Sequence, residues 1–119
     1  GASAFVSALA DEAEGPALCL VCGEVVQAGK RPRPGHPGAC AVHARHAHAD
    51  GIGVFFLVLK CATLLVADSM AAYGPSIYVD EYGEEDRDLR RGAPLRLAHD
   101  RLRALERIYN DHGIRAEIA

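Results

Sequence analysis

Two short pairs of metal-binding residue types lie on either side of the loop GKRPRPGHPG, which has no core of its own. Cys19 and Cys22 are separated by two residues, Cys40 and His43 are separated by two residues, and seventeen residues lie between the pairs. This spacing is typical of a closed tetrahedral zinc site. Structural zinc can supply on the order of 10 kcal/mol of folding free energy to a small domain. The sequence therefore predicts one structural Zn²⁺ bound by Cys19, Cys22, Cys40 and His43.

Two further histidines offer alternative ligands for the fourth position. His46 and His48 follow His43 within the stretch HARHAH. His43 is favoured because Cys-x-x-His mirrors Cys-x-x-Cys. Cys19 and Cys22 could instead form a redox dithiol, or they could be buried cysteines without a metal. A redox pair normally lies where a strand meets a helix, and the flanking Leu-Val and Glu-Val-Val do not resemble the start of a helix.

The remaining polar residues show no catalytic motif. The acidic stretch from Asp80 to Asp88 lacks the alternation of a calcium loop and is interleaved with arginines, so it predicts a solvated or salt-bridged loop. A basic group in the proline-rich loop keeps a nucleic-acid-binding zinc ribbon as an alternative; its members are Lys30, Arg31 and Arg33. The net charge of −3 does not favour nucleic acid or an anionic membrane. We expect no catalytic residue and no nucleic-acid partner.

The apolar pattern predicts an α+β fold: a small zinc-stabilised domain with a short antiparallel sheet and a C-terminal amphipathic helix. Residues 1–15 are interpreted as an N-terminal helical segment and residues 16–119 as a single domain. Residues 17–28 predict a hairpin or knuckle. Residues 52–67 predict two strands broken near Lys60-Cys61 or slightly earlier, with one bent strand as the alternative. DSMAAYGPS predicts a turn or loop. Leu102, Leu105 and Tyr109 recur at helical spacing near the C-terminus.

The chain offers no segment suited to a bilayer. The longest apolar run, Ile52 to Ala67, contains Gly53 and Lys60 and falls short of about 20 residues, so we expect no membrane partner. The cysteines, without a signal peptide, favour metal binding or reduced thiols inside the cell. The chain begins Gly-Ala-Ser without methionine. We interpret it as part of a longer polypeptide, and a cloning scar is one explanation of the first residues.

Several motifs together resemble the carboxy-terminal region of the UBR-type N-recognin E3 ubiquitin ligases. They are LCLVCG, GAC followed by His43, GIGVFFLV, and YVDEYGEEDRDLRRGAPLRL. The resemblance runs from about Pro16 to His112, and the long motif from Tyr78 to Leu97 is the most specific. Members of that family carry an extra Cys-Gly shortly after the Cys-x-x-His, where this chain has His46, His48 and Asp50-Gly51.

The resemblance implies a module of a large ligase that recognises destabilising N-terminal residues and transfers ubiquitin to lysines. It implies that Cys19, Cys22, Cys40 and His43 match the family's metal positions. It also implies a structural or regulatory cap that docks on the remainder of the parent ligase and is not itself catalytic. Through the parent, the partners would be a substrate degron or the ubiquitin-conjugating machinery, in the cytoplasm with the nucleus as a second compartment.

A RING needs eight ligands for two zinc ions, and this chain offers one set of four. We therefore do not expect this module to recruit a conjugating enzyme in the RING manner. Direct recognition of a degron by the module stays open as an alternative function.

Overall fold

The computed structural model describes residues 15–28, 38–68 and 70–119. The predicted N-terminal helical segment lies outside these ranges except for Gly15, which begins the first strand. The proline-rich loop between residues 29 and 37 also lies outside them, with its basic residues and His36.

An antiparallel five-stranded sheet, in the order β2-β1-β3-β4-β5, forms the centre of the fold. Its strands are β1 (Gly15–Cys19), β2 (Val25–Ala28), β3 (Ile52–Leu57), β4 (Ala62–Ala67) and β5 (Met70–Gly74). A small second sheet pairs β6 (Tyr78–Val79) with β7 (Arg96–Leu97). The described helices are α1 (Ala39–Ala47), α2 (His99–Asn110) and α3 (Ile114–Ile118). The expected α+β class, with a short antiparallel sheet and a C-terminal helix, is confirmed.

The apolar run at residues 52–67 forms the two central strands, with the break where the sequence predicts it. Every residue of β3 and β4 is buried. Successive side chains of a strand point to opposite faces of the sheet. Phe55 and Leu64 therefore belong to one core, while Phe56 and Leu65 belong to the other. Such a strand pair needs a covering layer on both faces.

Helix α1 covers one face of the sheet through small side chains. Cys40, Ala41 and Ala44 are buried against the core that contains Phe55. A Cβ atom added at Gly53 would lie 3.1 Å from the Cβ atom of Ala44 and 2.5 Å from the Phe55 ring. The absence of a side chain at Gly53 therefore allows α1 to lie close to β3. This helix was not predicted from the sequence.

The C-terminal helices cover the opposite face. Leu105 of α2 and Ile114 and Ile118 of α3 are buried in the core that contains Phe56. Helix α2 ends at Asn110, and Gly113 is the residue before α3. Within the described ranges, no helix has the length and apolar character needed to cross a membrane.

The strand β5 replaces the loop predicted for DSMAAYGPS. Ala71 and Ala72 are buried and pair with Val66 and Leu65 of β4. Alanine has little intrinsic preference for strands. The neighbouring strand β4, rather than local sequence, therefore determines this conformation.

The charged loop at residues 80–92 is braced by one arginine between two buried carboxylates. The guanidinium of Arg91 lies 3.2 Å from Oδ2 of Asp80 and 3.6 Å from Oδ1 of Asp86. Asp80 also accepts hydrogen bonds from the backbone N–H groups of Tyr82 and Glu84, at 2.8 and 3.0 Å. The predicted solvated or salt-bridged loop is thus salt-bridged, with both of these aspartates inside it.

Candidate metal centre

The turn between β1 and β2 brings two sulfur atoms to one side of the hairpin. Cys19 ends β1, its backbone N–H donates to the carbonyl of Glu24 at 2.8 Å, and the N–H of Gly23 donates to the carbonyl of Cys19 at 2.8 Å. Gly23 has a φ of +82°, in the left-handed region that favours glycine. The predicted knuckle is therefore present, and glycine at position 23 allows it to close after Cys22.

Helix α1 and the residue that caps its C-terminal end supply two imidazoles. His43 lies in the middle of the helix, and His48 is the capping residue after it, with an extended backbone at φ −119° and ψ 130°. Residues five apart in a continuous helix point about 140° away from each other. The extended conformation of His48 changes its direction, so that both rings reach the hairpin.

Four potential ligand atoms converge between the hairpin and α1. They belong to Cys19, Cys22, His43 and His48, and all lie within 4.8 Å of one another. Sγ of Cys19 is 3.4 Å from Nε2 of His48, and Sγ of Cys22 is 3.3 Å from Nε2 of His43. Cys19 is buried, Cys22 is exposed and the histidines are partly buried. In the described part of the chain, no other three His, Cys, Asp or Glu residues group in this way.

The donor set fits a tetrahedral zinc ion. Zinc binds cysteine sulfur at about 2.3 Å and histidine nitrogen at about 2.0 Å, so sulfur and nitrogen ligands of one tetrahedral ion lie about 3.5 Å apart. The two sulfur–nitrogen distances, 3.4 and 3.3 Å, agree with this value. The rings of His43 and His48 meet edge to face with centroids 5.1 Å apart, so both nitrogens can point to a common centre.

The protonation of the buried thiol also bears on the chemistry of the site. Burial raises the pKa of Cys19 above its usual value, against hydrogen bonds from the backbone of Cys22 and Val21 that lower it. Redox cysteines in Cys-x-x-Cys motifs instead have lowered pKa values. A bound cation favours the thiolate and lowers the pKa. A raised pKa of Cys19 therefore does not favour the thiolate that thiol–disulfide exchange needs, and a metal ion bound beside Cys19 would have to displace the thiol proton.

Not every residue predicted as a ligand belongs to the converging group. Cys40 is fully buried in the core beneath α1 and is not a member of the group. Of the two alternative histidines, His48 is a member and His46 is exposed and outside it. The structure thus brings together three of the four residues predicted as ligands, Cys19, Cys22 and His43. The fourth member of the group is His48 instead of Cys40.

One residue near the metal centre was missed by the sequence reasoning. Oε2 of Glu24 lies 3.4 Å from Nδ1 of His43, the ring nitrogen that faces away from Cys22. The only signal in the sequence was a carboxylate two residues after Cys22. Its contact with His43 depends on how α1 lies across the hairpin, and spacing alone does not give this.

The chain matches known proteins over most of its length. The family model described as Proteolysis_6 C-terminal matches residues 7–111. The chain is 36% identical over 115 residues to the E3 ubiquitin-protein ligase UBR2 of Mus musculus, covering 91% of the chain and 6% of that protein. It is 38% identical over 116 residues to UBR1 of Mus musculus, covering 92% of the chain and 6% of that protein.

A third relative gives a similar result. The chain is 39% identical over 98 residues to ubr3 of Danio rerio, covering 82% of the chain and 5% of that protein. No solved structure matches the chain significantly. The chain spans about 6% of the length of its first curated relatives. The expected resemblance is confirmed: this chain belongs to the Proteolysis_6 C-terminal family, the C-terminal domain of UBR-type N-recognin E3 ubiquitin ligases.

Proposed function

We propose that this chain is a zinc-stabilised structural and regulatory module of a larger E3 ubiquitin ligase of the N-degron pathway. In this role it binds one Zn²⁺ through Cys19, Cys22, His43 and His48 and has no catalytic residue of its own. The relatives that carry the match are named E3 ubiquitin-protein ligases. Ubiquitin transfer then belongs to the parent ligase, and this module braces or caps it.

The convergence of four ligand atoms within 4.8 Å carries the proposal. Two ligands come from the β1–β2 hairpin and two from α1 and its end. One ion would therefore fasten the hairpin to the helix across the residues 29–37 that join them. A site with four protein ligands leaves no open position for a substrate, which is typical of structural rather than catalytic zinc.

Metal analysis of the 119-residue chain tests the zinc assignment. Protein purified without added metal, and protein refolded from a chelator with and without zinc, would be measured by inductively coupled plasma mass spectrometry. We expect about one zinc per folded chain. Less than half an equivalent, together with a reversible disulfide between Cys19 and Cys22, would instead support the small redox protein.

Two serine variants separate the metal centre from the core. Cys22→Ser removes a ligand and should lose zinc together with the order of the hairpin and α1. Cys61→Ser alters a buried cysteine on the opposite face of the sheet. It should lower stability modestly and keep the zinc. Equal loss of metal in both variants would contradict the proposed ligand set.

The docking role is tested in the parent ligase. We propose that the module packs on the remainder of that protein in the cytoplasm, with the nucleus as a second compartment. Hydrogen exchange of the full-length ligase should show protected surface on this module that becomes exposed in the isolated chain. Titration of the isolated chain with degron peptides, and with single-stranded RNA, should show no binding. Saturable peptide binding would favour degron recognition by the module, and salt-dependent RNA binding would favour the zinc ribbon.

A further inference from the structure

We propose that Glu24 is a positioning residue for the metal centre: its carboxylate holds the His43 ring with Nε2 towards the sulfurs. This inference rests on the proposed zinc site. Oε2 of Glu24 lies 3.4 Å from Nδ1 of His43, while Nε2 of the same ring lies 3.3 Å from Sγ of Cys22. The two ring nitrogens thus face two different partners.

The chemistry of imidazole makes this arrangement directional. A neutral histidine has one N–H donor and one acceptor nitrogen, and a carboxylate can only accept. A carboxylate beside Nδ1 therefore favours the tautomer with the proton on Nδ1 and the free lone pair on Nε2. Partners of this kind behind metal-binding histidines orient the ring and typically contribute 10- to 100-fold in metal affinity.

The backbone and the side chain of Glu24 make different contacts, so one can be changed without the other. Its carbonyl accepts from the N–H of Cys19 at 2.8 Å and closes the turn. A substitution of the side chain leaves that bond in place. The side chains of His43 and Glu24 are 9% and 65% exposed, so the carboxylate reaches the ring from the solvent side and can adjust to it.

The contact should strengthen when a cation binds the opposite nitrogen. Metal binding draws electron density from the imidazole and makes its remaining N–H a better donor. If the Glu24 carboxylate interacts more favourably with His43 in the zinc-bound protein than in the metal-free protein, the difference in interaction free energy adds to the free energy of zinc binding. The effect of removing the carboxylate should therefore appear in zinc affinity and not in the stability of the metal-free chain.

The test compares Glu24→Gln and Glu24→Ala with the wild-type chain and with Glu81→Gln, a control at an exposed acidic residue outside the metal centre. Zinc affinity is measured by competition with a chromophoric chelator. We expect about tenfold weaker binding for Glu24→Ala, an intermediate loss for Glu24→Gln and no change for the control. Urea unfolding of the metal-free proteins should give the same midpoint for all four.

A nuclear magnetic resonance measurement reports on the ring itself. In the zinc-loaded wild-type chain the Nδ1–H proton of His43 should be visible and slow to exchange, and in Glu24→Ala it should exchange too fast to observe. Unchanged affinity and unchanged exchange in Glu24→Ala would overturn the role of Glu24 and leave the zinc site intact. Failure of the wild-type chain itself to bind zinc would overturn the proposed function first. Should Glu24→Ala not fold, Glu24→Gln decides.

Discussion

Sγ of Cys19 lies 3.4 Å from Nε2 of His48, which joins the last residue of β1 to the residue that caps α1. His48 thereby belongs to the group of converging side chains, in which regular spacing would instead place Cys40. The cysteine of the Cys-x-x-His pair instead packs in the core with Phe55. This relationship makes the identity of the fourth ligand a question for mutagenesis.

We predict that His48→Ala lowers bound zinc below half an equivalent, whereas Cys40→Ala keeps about one equivalent per chain. The first change removes a ligand. The second removes a buried sulfur from the core and should cost about 1 kcal/mol of unfolding free energy. Metal content and urea unfolding of both variants check this. Retention of zinc in His48→Ala with loss in Cys40→Ala would restore the ligand set expected from spacing.

We predict that Gly53→Ala destabilises the chain by about 1–3 kcal/mol, because the added methyl group overlaps the Phe55 ring and Ala44 of α1. Zinc affinity should fall as well, since His43 of α1 and its capping residue His48 are two of the four proposed ligands. Gly74→Ala is the matched control: its Cβ atom would meet nothing closer than 3.5 Å, the side chain of Leu65. Thermal unfolding with and without zinc measures both effects, and equal stability of the two variants would contradict the close approach.

We predict that Thr63→Val stabilises the protein by about 1 kcal/mol. The hydroxyl of Thr63 is buried, and within the described residues it has no hydrogen-bond partner. Replacing it with a methyl group of similar shape removes a desolvated polar atom. Thr63→Ser keeps the hydroxyl, deletes a buried methyl group and should destabilise the chain. Chemical denaturation of both variants gives the sign of each change in unfolding free energy. A loss of stability in Thr63→Val would show that the Thr63 hydroxyl has a hydrogen-bond partner.

We predict that acid weakens the charged loop through Asp86. Hydrogen bonds from the backbone N–H of Arg91, then that of Gly92, and the charge of Arg91 lower the pKa of Asp86. A lowered pKa contributes stability that is complete above the unfolded value of about 3.9 and is lost as the pH falls through the folded value. Asp86→Asn should therefore be less stable than wild type at neutral pH.

The difference between Asp86→Asn and wild type should shrink as the pH falls below about 4. Both proteins carry the same cysteine and histidine ligands, so acid release of metal is common to both and cancels in the comparison. Denaturant unfolding at a series of pH values measures the difference. A constant gap across the series would show that Asp86 contributes through packing alone.

The central strands could be predicted because residues 52–67 form a long apolar run with a polar break. Helix α1 was missed because it has no broad apolar stripe: its alanines favour a helix, but only three of its residues, Cys40, Ala41 and Ala44, are buried. Their contact with the sheet, rather than an apolar stripe, determines the helix. The strand β5 was missed for the same reason, since its buried alanines pair with β4.

The ligands could be predicted to the extent that they depend on local spacing. The Cys-x-x-Cys knuckle follows from a turn of four residues, and both of its cysteines belong to the converging group. The other two members of the group are histidines, and which histidines they are depends on where α1 ends. A helix through residue 47 with an extended residue at 48 selects His48 over His46, and this ending is visible only in three dimensions.

Phe55 and Phe56 are neighbours in the chain, yet their rings pack in different cores on opposite faces of the sheet. The ring of Phe55 lies 5.8 Å from that of His43, and the ring of Phe56 lies 5.0 Å from that of Tyr78. A fluorine label on each phenylalanine would thus record two separate events from adjacent positions. Removal of zinc with a chelator should shift the resonance of Phe55 and leave that of Phe56 unchanged. A substitution that weakens the packing of α2 and α3 on the sheet should shift the resonance of Phe56 and leave that of Phe55 unchanged.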